Sequence, residues 1–413
     1  MHRFHYRGAN LYAEEVKVED IIKQFHSPLY IYSANTILDH FFKLKHAFKV
    51  FTPLICFSMK ANCNLAVLRL LVKSGAGIDI VSGGELYKAI KAGCPAQKIV
   101  YAGAGKTEDE IEFAVKTGIL FFNVESLPEL EKINKAAKRY RKIQDVCLRL
   151  NPDVDAKTHK FITTGKKETK FGMPYKMVKS IFRNKSKYKN ISIKGIHLHI
   201  GSQIVHLEPF LNAIKIGLKL KTEVDYKYLN IGGGLGIIYK NEKPLLPGQY
   251  AGEIEKLLKG SGVELILEPG RFIAGNAGIL VVRVVYFKKG ANNNFAITDA
   301  GMNLLIRPAL YGAYHEINLV KKKNKPKVKM DIVGPICESA DFLGQDRRLP
   351  ALREGDALAV FGAGAYGSAM ASVYNGHPLC AEVMVHGKDV YLVKKQQHYR
   401  DLIQNDLLPS FLK

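Results

Sequence analysis

Through the first two thirds of the chain, apolar positions come in runs of four to six residues, at 54–58, 77–81, 98–102, 119–124, 145–150, 194–199, 228–231 and 264–268. Short, nearly continuous runs of this kind read as strands buried on both faces. Between them lie stretches whose apolar residues recur at helical spacing, such as 64–73, 84–91, 107–117 and 126–140. Thr107-Glu-Asp-Glu110 and Ser126-Leu-Pro-Glu129 carry a hydroxyl N-cap and acidic first-turn residues. Eight strand–helix units predict a (β/α)8 TIM-like barrel over residues 31–275.

After Gly275 the pattern changes. Strand-like segments at 278–287, 295–298, 328–333, 357–361, 381–385 and 389–393 follow one another with few helices between, which predicts an antiparallel β-domain over 276–413. Residues 1–30 also carry strand signals and are expected to join it. The longest irregular stretch, 151–172, is polar and lysine-rich and follows the fifth barrel strand, where barrels build active-site lids.

Bulk properties narrow the class. A 413-residue chain with 47% apolar content is long enough for two globular domains. It has no apolar run of about 18 residues, and its N-terminus lacks the apolar core of an export signal. A cytoplasmic protein without a membrane role is expected. Six scattered cysteines form no C-x-x-C pair, so free thiols are expected. The net charge of +23 invites a nucleic-acid reading. The lysines are spread over helical faces without aromatic interleaving, however, so a solvated basic surface is the expectation and no nucleic-acid partner.

Candidate chemistry gathers at the strand ends. Lys60 ends the first strand in Phe57-Ser-Met-Lys-Ala-Asn62, a place where a lysine is ordinarily just solvated. Asp79 lies near the end of the second strand, Arg149 near that of the fifth, and His199 closes the sixth. Gly232-Gly-Gly234 closes the seventh and Glu268-Pro-Gly-Arg271 the eighth. In a barrel all six face one mouth. A reactive amine, glycine-rich phosphate cradles, one carboxylate and two arginines together describe a pyridoxal phosphate site. The triple glycine is equally compatible with a plain tight turn. His197 and His199 share a strand face and resemble a metal pair, but no third ligand is evident nearby, so no metal is expected and His197 reads as filler of the barrel interior.

Two motifs are decoys. Gly105-Lys-Thr107 lacks the upstream glycine of a P-loop, since Val100 stands there. Gly362-Ala-Gly-Ala-Tyr-Gly367 matches a dinucleotide fingerprint, yet only 46 residues follow it, too few for the rest of such a domain.

Taken in order, Phe57 to Asn62, His199-Ile-Gly-Ser-Gln203, the triple glycine, Glu268 to Arg271, Asp299-Ala-Gly-Met-Asn303 with Ile306-Arg-Pro-Ala-Leu-Tyr-Gly-Ala313, and Cys337-Glu-Ser-Ala-Asp341 resemble the diaminopimelate decarboxylases, a fold-type III, alanine-racemase-like family. The resemblance spans nearly the whole chain. It implies a barrel plus β-domain, pyridoxal 5'-phosphate as cofactor, and a head-to-tail homodimer with shared active sites. The implied activity is decarboxylation of meso-2,6-diaminopimelate at its D centre to L-lysine and carbon dioxide, the last step of lysine biosynthesis.

Roles follow from the same resemblance. Lys60 is the Schiff-base lysine, His199 stacks on the cofactor ring, and Glu268 pairs with the pyridine nitrogen. Ser202, Gly233, Gly234, Gly270, Arg271 and Tyr366 bind phosphate, with Asp79 and Arg149 counted among the cofactor contacts. Arg271, Arg307, Tyr311 and Tyr366 meet the substrate, Glu338 binds its distal amine, and Cys337 protonates the carbanion, with Cys337 and Glu338 supplied by the partner subunit. Val373 and His377 depart from the family pattern, which has Asn and Arg there. Ornithine, arginine or carboxynorspermidine decarboxylases are the nearest alternative, although an Asp typically follows the interface cysteine in the ornithine enzymes. A non-catalytic, cofactor-binding regulator is the other.

Overall fold

The computed structural model describes residues 2–156, 164–166, 168–291 and 293–412. The chain divides into two compact units, one of residues 37–273 and one of 1–36 with 274–413. The first cut falls inside the helix Ala34–Ala47, a few residues beyond the strand signals at the N-terminus.

The 37–273 unit is a closed parallel barrel of eight strands: β1 Leu54–Ser58, β2 Gly77–Ile80, β3 Ile99–Tyr101, β4 Phe121–Val124, β5 Gln144–Arg149, β6 Ile191–His197, β7 Tyr228–Asn230 and β8 Glu264–Leu267. Each expected strand is present, with ends moved by at most a few residues. Buried apolar side chains hold them, including Cys56, Val100, Phe121, Cys147 and Ile266 in one packed cluster. Fully burying a side chain of this size contributes about 1.5–3 kcal/mol. Cys56 and Cys147 are therefore small core fillers with free thiols.

The helices begin where their caps require. Asn64, Ser82 and Ser126 each accept a backbone N–H from the first turn of the helix that follows, and Thr107 with Glu110 forms a full capping box. Strand register then decides which polar residues share a level. Ser58 lies opposite Asp79, and His197 lies opposite both Arg149 and Asn230. Ser58, Arg149, His197 and Asn230 end their strands and Asp79 is one residue from the end of its own, so the register sets a polar layer at the C-terminal mouth.

The 1–36 and 274–413 unit is built on a nine-stranded sheet whose main path runs Phe342–Pro350, Lys327–Val333, Asn294–Thr298, Gly278–Lys289, Leu29–Ser33, Ala381–His386 and Asp389–Lys394. Ala357–Val360 branches from Gly278–Lys289 and pairs with Ile317–Leu319. Most strand pairs of this domain are antiparallel, as expected, and two are parallel. Asn294–Thr298 runs parallel to Lys327–Val333, and Leu29–Ser33 parallel to Ala381–His386, so the sheet is mixed. Both parallel pairs join segments far apart in sequence, where no hairpin forces the antiparallel sense. The strand Phe342–Pro350 escaped the pattern reading because its middle, Gln345-Asp-Arg-Arg348, is polar; it pairs with Lys327–Val333 at one end of the path.

Phe4–Arg7, Asn10–Ala13 and Val16–Lys17 form their own small antiparallel sheet, and the helix Val18–Phe25 follows. Leu11, Val18, Ile21 and Ile22 pack with Leu29, Ile31, Ile279, Val281 and Val383 into one core. Among the described residues, no helix is long and apolar enough to cross a membrane. The lid segment expected at 151–172 includes 157–163 and 167, which lie outside the described residues.

Candidate active site

At the barrel mouth Lys60 sits in a single 3-10 turn, Met59–Ala61, directly after β1. Its Nζ donates to Asp79 Oδ2 at 3.0 Å, and Ser58 Oγ donates to the same oxygen at 2.7 Å. Asp79 is buried, and its carboxyl pKa is raised by that burial and by repulsion from Glu268, against the pull of Lys60 and the Ser58 bond.

Glu268, just beyond β8, is 3% exposed and fully engaged. Its Oε1 accepts from Asn123 Nδ2 at 2.9 Å and Asn230 Nδ2 at 2.6 Å, and its Oε2 lies 3.0 Å from His197 Nε2. Burial alone would push this carboxyl up. Attraction and hydrogen bonding from His197, with Lys60 beyond, overcome it and hold the carboxyl far below its usual range. A carboxylate accepts only, so His197 Nε2 carries the proton.

His199 lies next to it, its ring inclined 18° to that of His197 with centroids 6.3 Å apart. Desolvation, then the charges of Arg149 and Lys60, push its pKa well below the ordinary value, so the imidazole is neutral at neutral pH. The Gly233 N–H donates to His199 Nδ1 at 3.3 Å. That bond leaves the His199 proton on Nε2. A third group that is not evident near the two histidines in the sequence stands beside them in the fold: Glu268, with the ligand atoms of all three within 4.8 Å of one another. The fold brings it from a strand 70 residues away, beyond the reach of spacing arguments.

The glycines form a closely fitted wall. A Cβ on Gly233 would stand 2.3 Å from the Glu268 carbonyl oxygen, and one on Gly270 2.9 Å from Ala61 Cβ. Gly234 has φ +108, which side-chain-bearing residues rarely adopt. Arg271 is buried beside this wall, donating through Nε and Nη2 to Ser202 Oγ at 3.3 and 3.1 Å and through Nη1 to Tyr239 OH at 2.7 Å. Arg149 pairs with buried Glu125, whose other oxygen accepts the Gly172 N–H at 2.8 Å. Lys60, Asp79, Arg149, His199, Ser202, Gly233, Gly234, Glu268, Gly270 and Arg271 are thus linked around one mouth.

The remaining candidates belong to the other unit. Arg307 and Tyr311 are one turn apart on the helix Arg307–Tyr311, and Tyr366 has φ +57 in the loop after Ala357–Val360. Cys337 and Glu338 are exposed; the Cys337 N–H donates to Asn375 Oδ1 at 2.8 Å and Tyr374 OH donates to Glu338 Oε1 at 2.5 Å. Asp341 anchors the same loop, accepting the N–H groups of Met302 and Ile336 at 2.6 Å each.

The decoys have structural explanations. Lys106 is buried and paired with Glu129 at 2.7 Å. Gly364 packs so tightly that a Cβ would stand 2.0 Å from the Ala274 carbonyl oxygen.

A family profile described as pyridoxal-dependent decarboxylase, pyridoxal binding domain, matches residues 34–275. The diaminopimelate decarboxylase of Aquifex aeolicus is 46% identical over 408 residues, covering 97% of this chain and 97% of that protein. The chain belongs to the diaminopimelate decarboxylase family. Two solved structures agree in fold over nearly the whole length. The diaminopimelate decarboxylase of Helicobacter pylori complexed with L-lysine is 39% identical, with a TM-score of 0.91 over 94% of this chain and 98% of that one. That of M. jannaschii in co-complex with L-lysine is 36% identical, with a TM-score of 0.93 over 99% of both.

The family motifs pointed to Glu268 and Lys60 in the sequence, but not to the groups that hold them. Asn123, Asn230, His197, Ser58, Tyr239 and Glu125 were missed as functional supports. Asn123 and Asn230 had a usable signal, since a buried amide near the end of an apolar strand needs a partner.

Proposed function

We propose that this chain binds pyridoxal 5'-phosphate at the barrel mouth and removes the D-centre carboxylate of meso-2,6-diaminopimelate as carbon dioxide, leaving L-lysine. The observation that carries the reading is the buried, deprotonated Glu268, held by three donors at the same mouth as Lys60. Such a carboxylate suits a protonated pyridine nitrogen. The glycine wall, which leaves no room for side chains, suits a close backbone approach to a phosphate. Pyridoxal phosphate supplies the conjugated ring that accepts the electron pair left when carbon dioxide departs.

The chain's own groups do the rest. Lys60 would supply the amine that holds the cofactor. Glu268 would keep the pyridine nitrogen protonated, and the neutral His199 ring would help to hold the cofactor. Ser202, Gly233, Gly234, Gly270, Arg271 and Tyr366 hold the phosphate, with Asp79 and Arg149 fixing the residues around it. Arg271, Arg307 and Tyr311 receive the distal carboxylate, for which a guanidinium fork is the matching donor. Glu338 receives the distal amine and Cys337 delivers a proton to the reacting carbon. Both are exposed in one chain, which supports a homodimer in which the partner's Cys337 and the partner's Glu338 complete each site.

The test is to incubate the protein with pyridoxal phosphate and, separately, meso-diaminopimelate, ornithine and arginine, following carbon dioxide and the amine product. Lysine from diaminopimelate alone is the expected result. Release only from ornithine or arginine overturns the substrate assignment and the role of Glu338.

A further inference from the structure

Arg307 starts the helix Arg307–Tyr311, which ends at Gly312 in left-handed backbone (φ +60), with the Gly312 N–H on the Pro308 carbonyl at 2.9 Å. The reversal brings His315 back to Arg307. His315 is fully buried, at 0% exposure. Its Nδ1 lies 2.8 Å from the Phe361 carbonyl oxygen and its Nε2 2.8 Å from Arg307 Nη1.

The chemistry of these partners leaves one protonation state. A carbonyl oxygen only accepts, so Nδ1 carries the proton, and a guanidinium only donates, so Nε2 presents its lone pair. A proton on Nε2 would set two donors against each other. The far anchor is itself fixed, because the Phe361 N–H donates to the Glu316 carbonyl at 2.8 Å and Ile317–Leu319 pairs with Ala357–Val360. The imidazole therefore ties one nitrogen of the guanidinium to the sheet.

We infer that His315 is a positioning residue for substrate recognition: as a neutral, Nδ1-protonated ring bridging Phe361 and Arg307, it fixes the orientation in which Arg307 receives the distal carboxylate. The inference rests on the assignment of Arg307 as a carboxylate binder. An arginine side chain has many rotamers, and a bidentate grip on a carboxylate needs one. His315 selects that one before substrate arrives, which lowers the ordering cost of binding.

Two substitutions separate the ends of the bridge. His315→Asn carries an amide N–H near the position of Nδ1, toward Phe361, and nothing that reaches Arg307. His315→Gln carries an amide oxygen near the position of Nε2. The readouts are KM for meso-diaminopimelate and the inhibition constants of L-lysine, which keeps the distal carboxylate, and cadaverine, the same chain without it.

Losing a hydrogen bond to a charged group predicts that His315→Asn raises the first two constants about 10- to 100-fold. Cadaverine inhibition should move less than about twofold and kcat less than about threefold, as expected when ground-state binding alone is lost. His315→Gln should restore the first two to within about threefold of the natural protein. Equal losses in both variants, or parallel weakening of cadaverine, overturn the inference in favour of a merely structural histidine. If His315→Asn does not fold, His315→Ala with added imidazole replaces it; recovery of L-lysine affinity is expected, and no recovery overturns the inference. Arg307→Ala tests the underlying assignment separately. If it leaves the preference for L-lysine over cadaverine intact, the carboxylate role of Arg307 fails. If it removes that preference while His315→Asn does not, only the positioning role fails.

Discussion

Glu268→Gln separates the charge at the centre of the barrel mouth from its hydrogen bonds. A glutamine can leave its Oε1 with Asn123 and Asn230 and turn its amide toward His197 Nε2, which then has to accept. His197 complies by moving its proton to Nδ1, an atom that is buried and has no partner among the described residues. The fold thus exchanges an unsatisfied acceptor for an unsatisfied donor, a cost of about 1 kcal/mol. For a unit of this size that lowers Tm by about 2–4 °C. The chemical cost is larger. Removing one fixed electrostatic partner from a water-excluded site lowers kcat about 100- to 1000-fold, or about 3–4 kcal/mol. The assay is kcat and KM on meso-diaminopimelate at saturating pyridoxal phosphate, with cofactor occupancy read by absorbance and Tm by calorimetry. A variant that keeps kcat within about threefold of the natural protein at full occupancy refutes the role given to Glu268. A fall in Tm beyond about 8 °C would show that the carboxylate acts mainly in folding.

Three further outcomes are expected. Cys337→Ala should lower kcat at least about 100-fold while changing pyridoxal phosphate affinity less than about threefold, and equal losses in both would remove Cys337 from proton delivery. Gly233→Ala drives a methyl into the Glu268 carbonyl, 2.3 Å from its Cβ, so it should weaken cofactor binding at least about tenfold in an absorbance titration, more than Gly248→Ala, where a Cβ meets nothing within 4 Å. Burial pushes Glu85 up to about 7, against the Val81 N–H bond and the charges of Lys60 and Lys88. The folded state then holds this proton longer than the unfolded chain, so stability is full below about pH 4 and falls as pH rises toward 7. Glu85→Gln keeps an acceptor for Val81 but does not titrate; relative to the natural protein it should gain about 2 kcal/mol more at pH 8 than at pH 5 in denaturant unfolding, and an equal gain at both would disprove the linkage.

Apolar periodicity determined the barrel by itself, because a strand buried on both faces must be apolar along its length and a covering helix must repeat every three to four residues. The same logic missed Phe342–Pro350, whose polar centre hides it, and does not reach the sense of the two parallel pairs in the second unit, which depends on long-range closure. Lys60, the glycine wall and Glu268 were legible from their motifs because their chemistry is local: an amine after a strand, backbone free of side chains, a carboxylate before Pro-Gly. What surrounds them was not. Asn123, His197 and Asn230 come from three different strands, and only barrel closure and strand register carry their donors to one carboxylate. His315 is eight residues from Arg307, close enough to suspect, but its protonation is decided by Phe361, 46 residues further on. Residue types and spacing thus set which chemistry is available, while tertiary structure decides which proton sits on which atom, since that depends on partners far apart in the chain.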